Sequence, residues 1–177
     1  MNQHNAISQT PAPADFHASI ARGGDAWFRA CLRITGDDSS ASDAVQDALL
    51  RAWHRRRQFN GQSRLDTWIH RIAVNSALEL LRSRHPERWA VLDVEPPDDS
   101  RRPDIELERS NLVVQFDASL ASLSHLERMC VVLKHVEQWR LQEIADELDA
   151  SVGTVKQALF RGIRKIRGEL GDLRRTP

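Results

Sequence analysis

The sequence predicts an all-α protein made of two small helical domains joined by a flexible acidic linker, the C-terminal domain containing a helix-turn-helix. Three observations lead there. Apolar residues recur at three- and four-residue spacing along most of the 177-residue chain. No stretch of any length alternates apolar and polar residues as a strand would. Between the helical stretches, residues 86–109 hold Pro86, Pro96, Pro97 and Pro103 with eight Asp/Glu against four Arg, a composition that suits an extended linker better than a packed element.

Composition narrows the class. Hydrophobic residues make up 41% of the chain and charged residues 28%, with 25 Lys/Arg balanced by 25 Asp/Glu. That is ordinary for a soluble globular protein, and no run is long enough to span a bilayer. The first fourteen residues are polar and lack the apolar segment of a secretory signal, so residues 1–14 are expected to be a disordered leader and the protein to stay in the cytoplasm. Two cysteines, Cys31 and Cys130, are too few for a disulfide framework. Both sit in apolar helical patterns, so buried free thiols are expected.

Phe16, Ile20, Trp27, Cys31 and Ile34 mark a first helix from about Asp15, which Gly36 can end. Gly23 and Gly24 weaken its middle. Ser39 or Ser40 is placed to cap a second helix with Ala44, Val45, Ala48, Leu49, Ala52 and Trp53 on its apolar stripe. Asp43, Gln46, Asp47, Leu50 and His54 face the other way. Phe59 to Gln62 reads as a turn, and Ser63 with Asp66 three residues on resembles a capping box. The third helix carries Trp68, Ile69, Ile72, Ala73, Leu80 and Leu81 inward and ends near Arg84, which closes a first domain over residues 15–85.

After the linker, residues 110–177 form the second domain. Leu112, Val113, Phe116, Leu120 and Leu123 resume the helical pattern, and Ser124 opens a helix with Leu126, Met129, Cys130, Leu133 and Val136. Leu141, Ile144, Ala145 and Leu148 stripe a short helix that breaks at Asp149-Ala150. Ser151 caps a longer one, with Val155, Leu159, Ile163, Ile166 and Leu170 inward and Lys156, Gln157, Arg161, Arg164 and Lys165 outward. From Gly153 onward there are seven Lys/Arg against Glu169 and Asp172. A solvated basic hairpin would share this periodicity. The small Ala145 at the crossing, the capped turn and the local positive charge favour a helix that enters a major groove.

Other chemistry finds little support. His125, Cys130 and His135 are five apart, about 140° around a helix at each step, so they cannot converge on one ion. No phosphate-binding loop or nucleophile motif is present, and the Asp37-Asp38 pair reads as a turn. No catalytic residue, metal or cofactor is expected. From Arg51 to Ile72, by contrast, Trp53, Phe59 and Trp68 interleave with Arg51, Arg55, Arg56, Arg57, Arg64 and Arg71, a mixture suited to single-stranded nucleic acid. Trp53 and Trp68 themselves are expected to be core anchors.

TGDDSSASDAVQDALLRAW, then FNGQSRLDTWIHRIAVN and LRSR, resembles region two of the extracytoplasmic-function sigma factors. LASLSHLERMCVVLKHVEQWRLQEIADELDASVGTVKQALFRGIRKIRGEL resembles their region four. The resemblance implies a subunit that directs core RNA polymerase to promoters. It implies polymerase docking through Asp43, Gln46, Asp47 and Leu50. Reading of the minus-ten element as single strand would fall to Asn60, Gly61, Gln62, Ser63 and Arg64 with Asn75. Reading of the minus-thirty-five duplex would fall to Thr154, Lys156, Gln157 and Arg161, with Arg164 and Lys165 on phosphates. The implied partners are core RNA polymerase, promoter DNA and an anti-sigma factor. Ser42, Leu65, Ser124 and Asp149 depart from the family's usual acid, aromatic, proline and glycine. A plain helix-turn-helix regulator that binds duplex DNA without polymerase is the alternative.

Overall fold

The computed structural model describes residues 10–84 and 112–173, in two compact units divided after Arg84. The linker expected over 86–109, with Trp89, Val91 and Leu92, and the first nine residues lie outside the described residues. Every regular element among the described residues is helical.

The first unit is a three-helix bundle of α1 (Pro13–Thr35), α2 (Asp38–His54) and α3 (Leu65–Arg84), each packed on the other two. Helix α1 begins at Pro13, two residues ahead of the expected start, because Pro at the first helical position has its φ preset and needs no amide donor. It ends at Gly36, whose φ of 82° is left-handed and whose N–H reaches Leu32 O at 2.8 Å. Ile20, expected inward, is 40% exposed. Gly23 is the larger surprise. A Cβ there would meet the buried Trp27 ring at 2.5 Å, so this glycine makes room for the indole rather than merely loosening the helix. Gly24 has open space beside it.

Asp37, not Ser39 or Ser40, caps α2. Its Oδ1 accepts the Ser40 N–H at 2.8 Å. Alanines 41, 44, 48 and 52 form the buried seam, and their small side chains let α2 lie close against its neighbours, while Val45, Leu49 and Trp53 are half-buried. In α3, Ile69, Ala73 and Leu81 are buried as expected, joined by Val74, Ala77 and Leu78. The expected Ser63 capping box does not form as drawn: α3 starts at Leu65, with Arg64 O accepting the Trp68 N–H at 3.0 Å, and Asp66 is turned to other partners.

In the second unit, α4 (Leu112–Ser119) leads into α5 (His125–Val131), which Ser124 and Glu127 cap reciprocally, at 3.3 and 3.1 Å. A π-helical turn, Val132–Val136, and a left-handed Gln138 (φ 60°) re-aim the chain into α6 (Leu141–Glu147). Asp149 holds the tight turn at φ 49°, and Ser151 caps α7 (Val152–Leu173) by accepting the Thr154 N–H at 3.0 Å. Helices α4, α5 and α6 all pack on α7. Helices α5 and α7 approach closely at Gly162, where a Cβ would meet Val131 Cγ2 at 2.9 Å. Cys31 and Cys130 are buried free thiols, and burial beside Glu127 pushes the Cys130 thiol up to about 12.

Candidate nucleic-acid interface

Helix α2 turns Asp43, Gln46 and Leu50 to solvent, with Asp47 half-exposed. The two acids already have partners. Arg84 Nη2 binds Asp43 at 2.7 Å while its Nη1 donates to Ser40 Oγ at 2.7 Å. Arg51 Nε binds Asp47 at 2.7 Å and its guanidinium also reaches Glu79 on α3. Both carboxylates nonetheless keep nearly half their surface in solvent. Leu50 is 60% exposed. With Gln46 it edges an apolar groove of about 570 Å³ formed by Pro13, Phe16, His17 and Ile20 of α1 and Leu49 and Trp53 of α2. An exposed leucine flanked by half-satisfied acids is a surface that can bury apolar area and receive cations at once.

The second feature is the loop between α2 and α3. A short 3₁₀ turn, Arg56–Gln58, precedes it. Asn60, Gly61, Gln62, Ser63 and Arg64 are all exposed. Gly61 sits at φ 72°, a region open to glycine at little cost, and Asn60 Oδ1 accepts the Gln62 N–H at 3.1 Å to tighten the bend. Phe59 and Trp68 pack with ring centroids 5.5 Å apart and staple the loop's entry to α3. The arginine run divides. Arg56 folds back over the Trp53 ring at 4.1 Å, and Arg55 and Arg57 stay exposed. Trp53 also meets Phe16 edge-on at 5.2 Å. Asn75 is on α3, about 15 Å along the axis from Leu65 at 1.5 Å per residue. It is half-buried, and its Oδ1 is buried with no hydrogen-bond partner from the protein.

The third feature is α7. Lys156, Gln157, Arg161 and Arg164 are exposed, and Phe160 is 69% exposed among them. At 3.6 residues per turn these five fall within about 140° of arc. Val155, Ala158, Gly162 and Ile166 form the buried side, while Leu159 and Ile163, expected inward, are half-exposed. Thr154 is half-buried, with its hydroxyl 2.9 Å from Ser151 Oγ in the cap. Lys165, expected as a phosphate contact, points elsewhere: its Nζ is 2.7 Å from Glu127 Oε2 on α5. The face that remains can lie in a groove with cations on phosphates and an amide and a ring over base edges. Among the described residues no group of three or more His, Cys, Asp and Glu side chains could hold a metal ion, and no helix is long and apolar enough to cross a membrane.

The chain matches the sigma-70 region 2 family over residues 21–87 and the sigma-70 region 4 family over residues 114–166. It is 30% identical over 156 residues to RNA polymerase sigma-E factor of Streptomyces coelicolor, covering 88% of this chain and 86% of that protein. The chain belongs to the ECF sigma factors. Identity to ECF RNA polymerase sigma factor SigG of Mycobacterium tuberculosis is 36% over 155 residues, spanning 74% of this chain but only 42% of SigG. Identity to ECF RNA polymerase sigma factor SigW of Bacillus subtilis is 29% over 162 residues, with 84% and 85% covered. Solved structures that share the fold include two complexes. One is the sigma factor RpoE of Bartonella quintana in complex with the anti-sigma factor NepR, at TM-score 0.55 and 22% identity, covering 89% of this chain and 97% of that one. The other is CnrH in complex with the cytosolic domain of CnrY, at TM-score 0.53 and 23% identity, with 94% of each chain covered.

In this ECF sigma factor the bundle is therefore the region 2 unit, and the helix-turn-helix lies in the region 4 unit. Two residues of the candidate surfaces escaped the sequence reading. Phe160 lies beside Leu159 in an apolar run, but 100° per residue carries it to the cationic side, and counting the arc would have found it. Arg22 is one charged residue on a long helix, and only the fold brings it to the loop, with Nη2 2.9 Å from Asp66 Oδ1.

Proposed function

We propose that the protein is an alternative sigma factor, a non-enzymatic cytoplasmic subunit that binds core RNA polymerase and directs it to a small set of promoters. The observation that carries this reading is the presence in one chain of two different nucleic-acid surfaces. One is an exposed loop stapled by Phe59 and Trp68 on a region 2 unit. The other is a capped α7 that presents Gln157, Phe160 and Arg161 in one arc on a region 4 unit. A regulator of duplex DNA needs only the second.

The roles follow from the chemistry of each surface. Leu50, with Gln46, Asp43 and Asp47, docks on the polymerase: the leucine supplies apolar burial, and the acids steer a basic partner. The Asn60–Arg64 bend takes the displaced minus-ten strand, with Arg64 on a phosphate; Asn75, whose Oδ1 is buried, joins this set only through the resemblance to region two. Gln157 and Arg161 read base edges of the minus-thirty-five duplex, Phe160 packs on a thymine methyl, and Lys156 and Arg164 hold phosphates. Thr154 lies at the edge of that face. Lys165 belongs to the fold of its unit rather than to the phosphate set, since Glu127 occupies it. Each DNA contact alone is weak, and joining both on one polymerase raises the effective concentration of the second.

An anti-sigma factor is the expected inhibitor. Two of the solved structures that share the fold hold such a partner or a bound cytosolic domain. The groove between α1 and α2 shares Gln46 and Leu50 with the docking face, so a partner seated there would exclude polymerase. The deciding experiment is gel filtration of the chain with core RNA polymerase, followed by transcription from fragmented genomic DNA of the source. Co-elution and discrete new start sites are expected. Specific duplex binding without co-elution would instead make the protein a plain helix-turn-helix regulator.

A further inference from the structure

Asp66, in the first turn of α3, is the hub of an ion-pair cluster that reaches across the region 2 unit. Arg22 of α1 grips it with two nitrogens, Nη2 to Oδ1 at 2.9 Å and Nε to Oδ2 at 3.2 Å. Arg64, the last residue of the loop, donates to Oδ2 at 3.1 Å. The fully buried Ser19 hydroxyl adds to the stabilisation of the carboxylate, and Arg22 Nη2 also lies 3.4 Å from Ser19 Oγ. Bidentate guanidinium–carboxylate pairs fix direction as well as charge. The loop is thereby tied at both ends: Phe59 to Trp68 at its entry, and Arg64 to Asp66 and α1 at its exit.

We infer that Arg22 is a positioning residue for strand binding: through Asp66 it holds Arg64, and with it the Asn60–Ser63 bend, in the geometry that receives single-stranded DNA. This rests on the reading of the loop as the minus-ten surface. Two physical effects support it. The exposed bend has few contacts of its own, so a strand that binds it must order it, and a pinned exit lowers that entropic cost. Asp66 would also repel a phosphate beside Arg64. Arg22 and Arg64 around one carboxylate leave a net single positive charge there, whereas Arg64 alone would leave none.

The test uses full-length chain reconstituted with core RNA polymerase on a promoter recovered by transcription with the wild-type protein. Permanganate reactivity of unpaired thymines reports strand opening, and a separate assay measures polymerase affinity. Arg22→Gln should lower opening about five- to tenfold, within the range of coupling between contacting residues, with polymerase affinity unchanged. Arg22→Lys should recover part of the loss. In an Asp66→Asn background, Arg22→Gln should have less than about a twofold effect, because its route to the loop is gone. A full loss that persists in the Asp66→Asn background would mean that Arg22 meets DNA or polymerase itself and would overturn the inference. So would unchanged opening by Arg22→Gln when Arg64→Ala abolishes it. If Arg64→Ala also opens the promoter normally, the loop is not the strand-binding surface, and the reading beneath the inference falls with it.

Discussion

Glu127 Oε2 accepts from two groups at once, the Ser124 N–H at 3.1 Å and Lys165 Nζ at 2.7 Å. One carboxylate, 6% exposed as a residue, therefore caps α5 and ties it to α7. Glu127→Ala should destabilise the region 4 unit by about 2–4 kcal/mol, from the lost cap and a lysine left beside a largely buried site. Lys165→Ala should cost less, about 1 kcal/mol, since the cap survives and the lysine is partly exposed. The same pair separates fold from function in DNA binding. Arg164→Ala should flatten the slope of log affinity against log salt by about 0.9, the value for one lost phosphate contact, and Lys165→Ala should leave the slope unchanged. Thermal unfolding of the two variants and salt titrations of duplex binding check both halves.

Gly23 and Gly24 are neighbours in the same helix with opposite surroundings. Gly23→Ala drives a methyl into the Trp27 ring, and the overpacking should cost about 1–3 kcal/mol even after the gain in helix propensity. Gly24→Ala meets nothing and should stabilise by about 0.5–1 kcal/mol. Urea unfolding of both proteins decides it, and equal shifts would mean that the Trp27 ring moves aside freely.

Base reading on α7 should divide by residue. Gln157→Ala removes a bidentate amide contact and should lose about 1–3 kcal/mol of discrimination at one base pair of the upstream element. Phe160→Ala should lose preference only where the site carries a thymine, which replacing thymine with uracil in the probe would reproduce on the wild-type protein. Competition with random duplex is the measurement. Equal losses on specific and random DNA would remove both residues from the reading set.

Leu50→Asp should leave the fold intact, because a 60% exposed leucine has little burial to lose. It should weaken polymerase binding about tenfold or more, the worth of burying such a side chain in an interface. Asp47→Arg should also weaken docking, but it breaks the contact to Arg51 as well, so Leu50 is the cleaner probe. Titration of labelled core polymerase into each variant gives the affinities, and unchanged binding by Leu50→Asp would move the docking surface off α2.

Much of this architecture depends on short-range physics and was legible in the chain by itself. Helical periodicity predicts the seven α-helices found among the described residues. Gly36 ends α1, Ser124 and Ser151 open α5 and α7, and Asp149 supports a left-handed turn, all through interactions within a few residues. The alanine seam of α2 and the cationic side of α7 follow from the same 100° step. What the tertiary structure decided concerns residues far apart in sequence. The spacing of Ser63 and Asp66 predicts a capping box, but Asp66 serves Arg22 forty-four positions away instead. Helical spacing puts Lys165 on the basic face, where the resemblance makes it a phosphate contact, and Glu127 claims it across thirty-eight positions. Helix propensity alone makes Gly23 a weak point, whereas packing makes it a socket for Trp27. Periodicity puts Ile20 on the apolar side of α1, and there it lines an open groove. In each case periodicity says which side of a helix a residue occupies. Only the crossing of helices in three dimensions settles what stands opposite, because a charge or a cavity is satisfied by whichever group packing brings within a few ångströms.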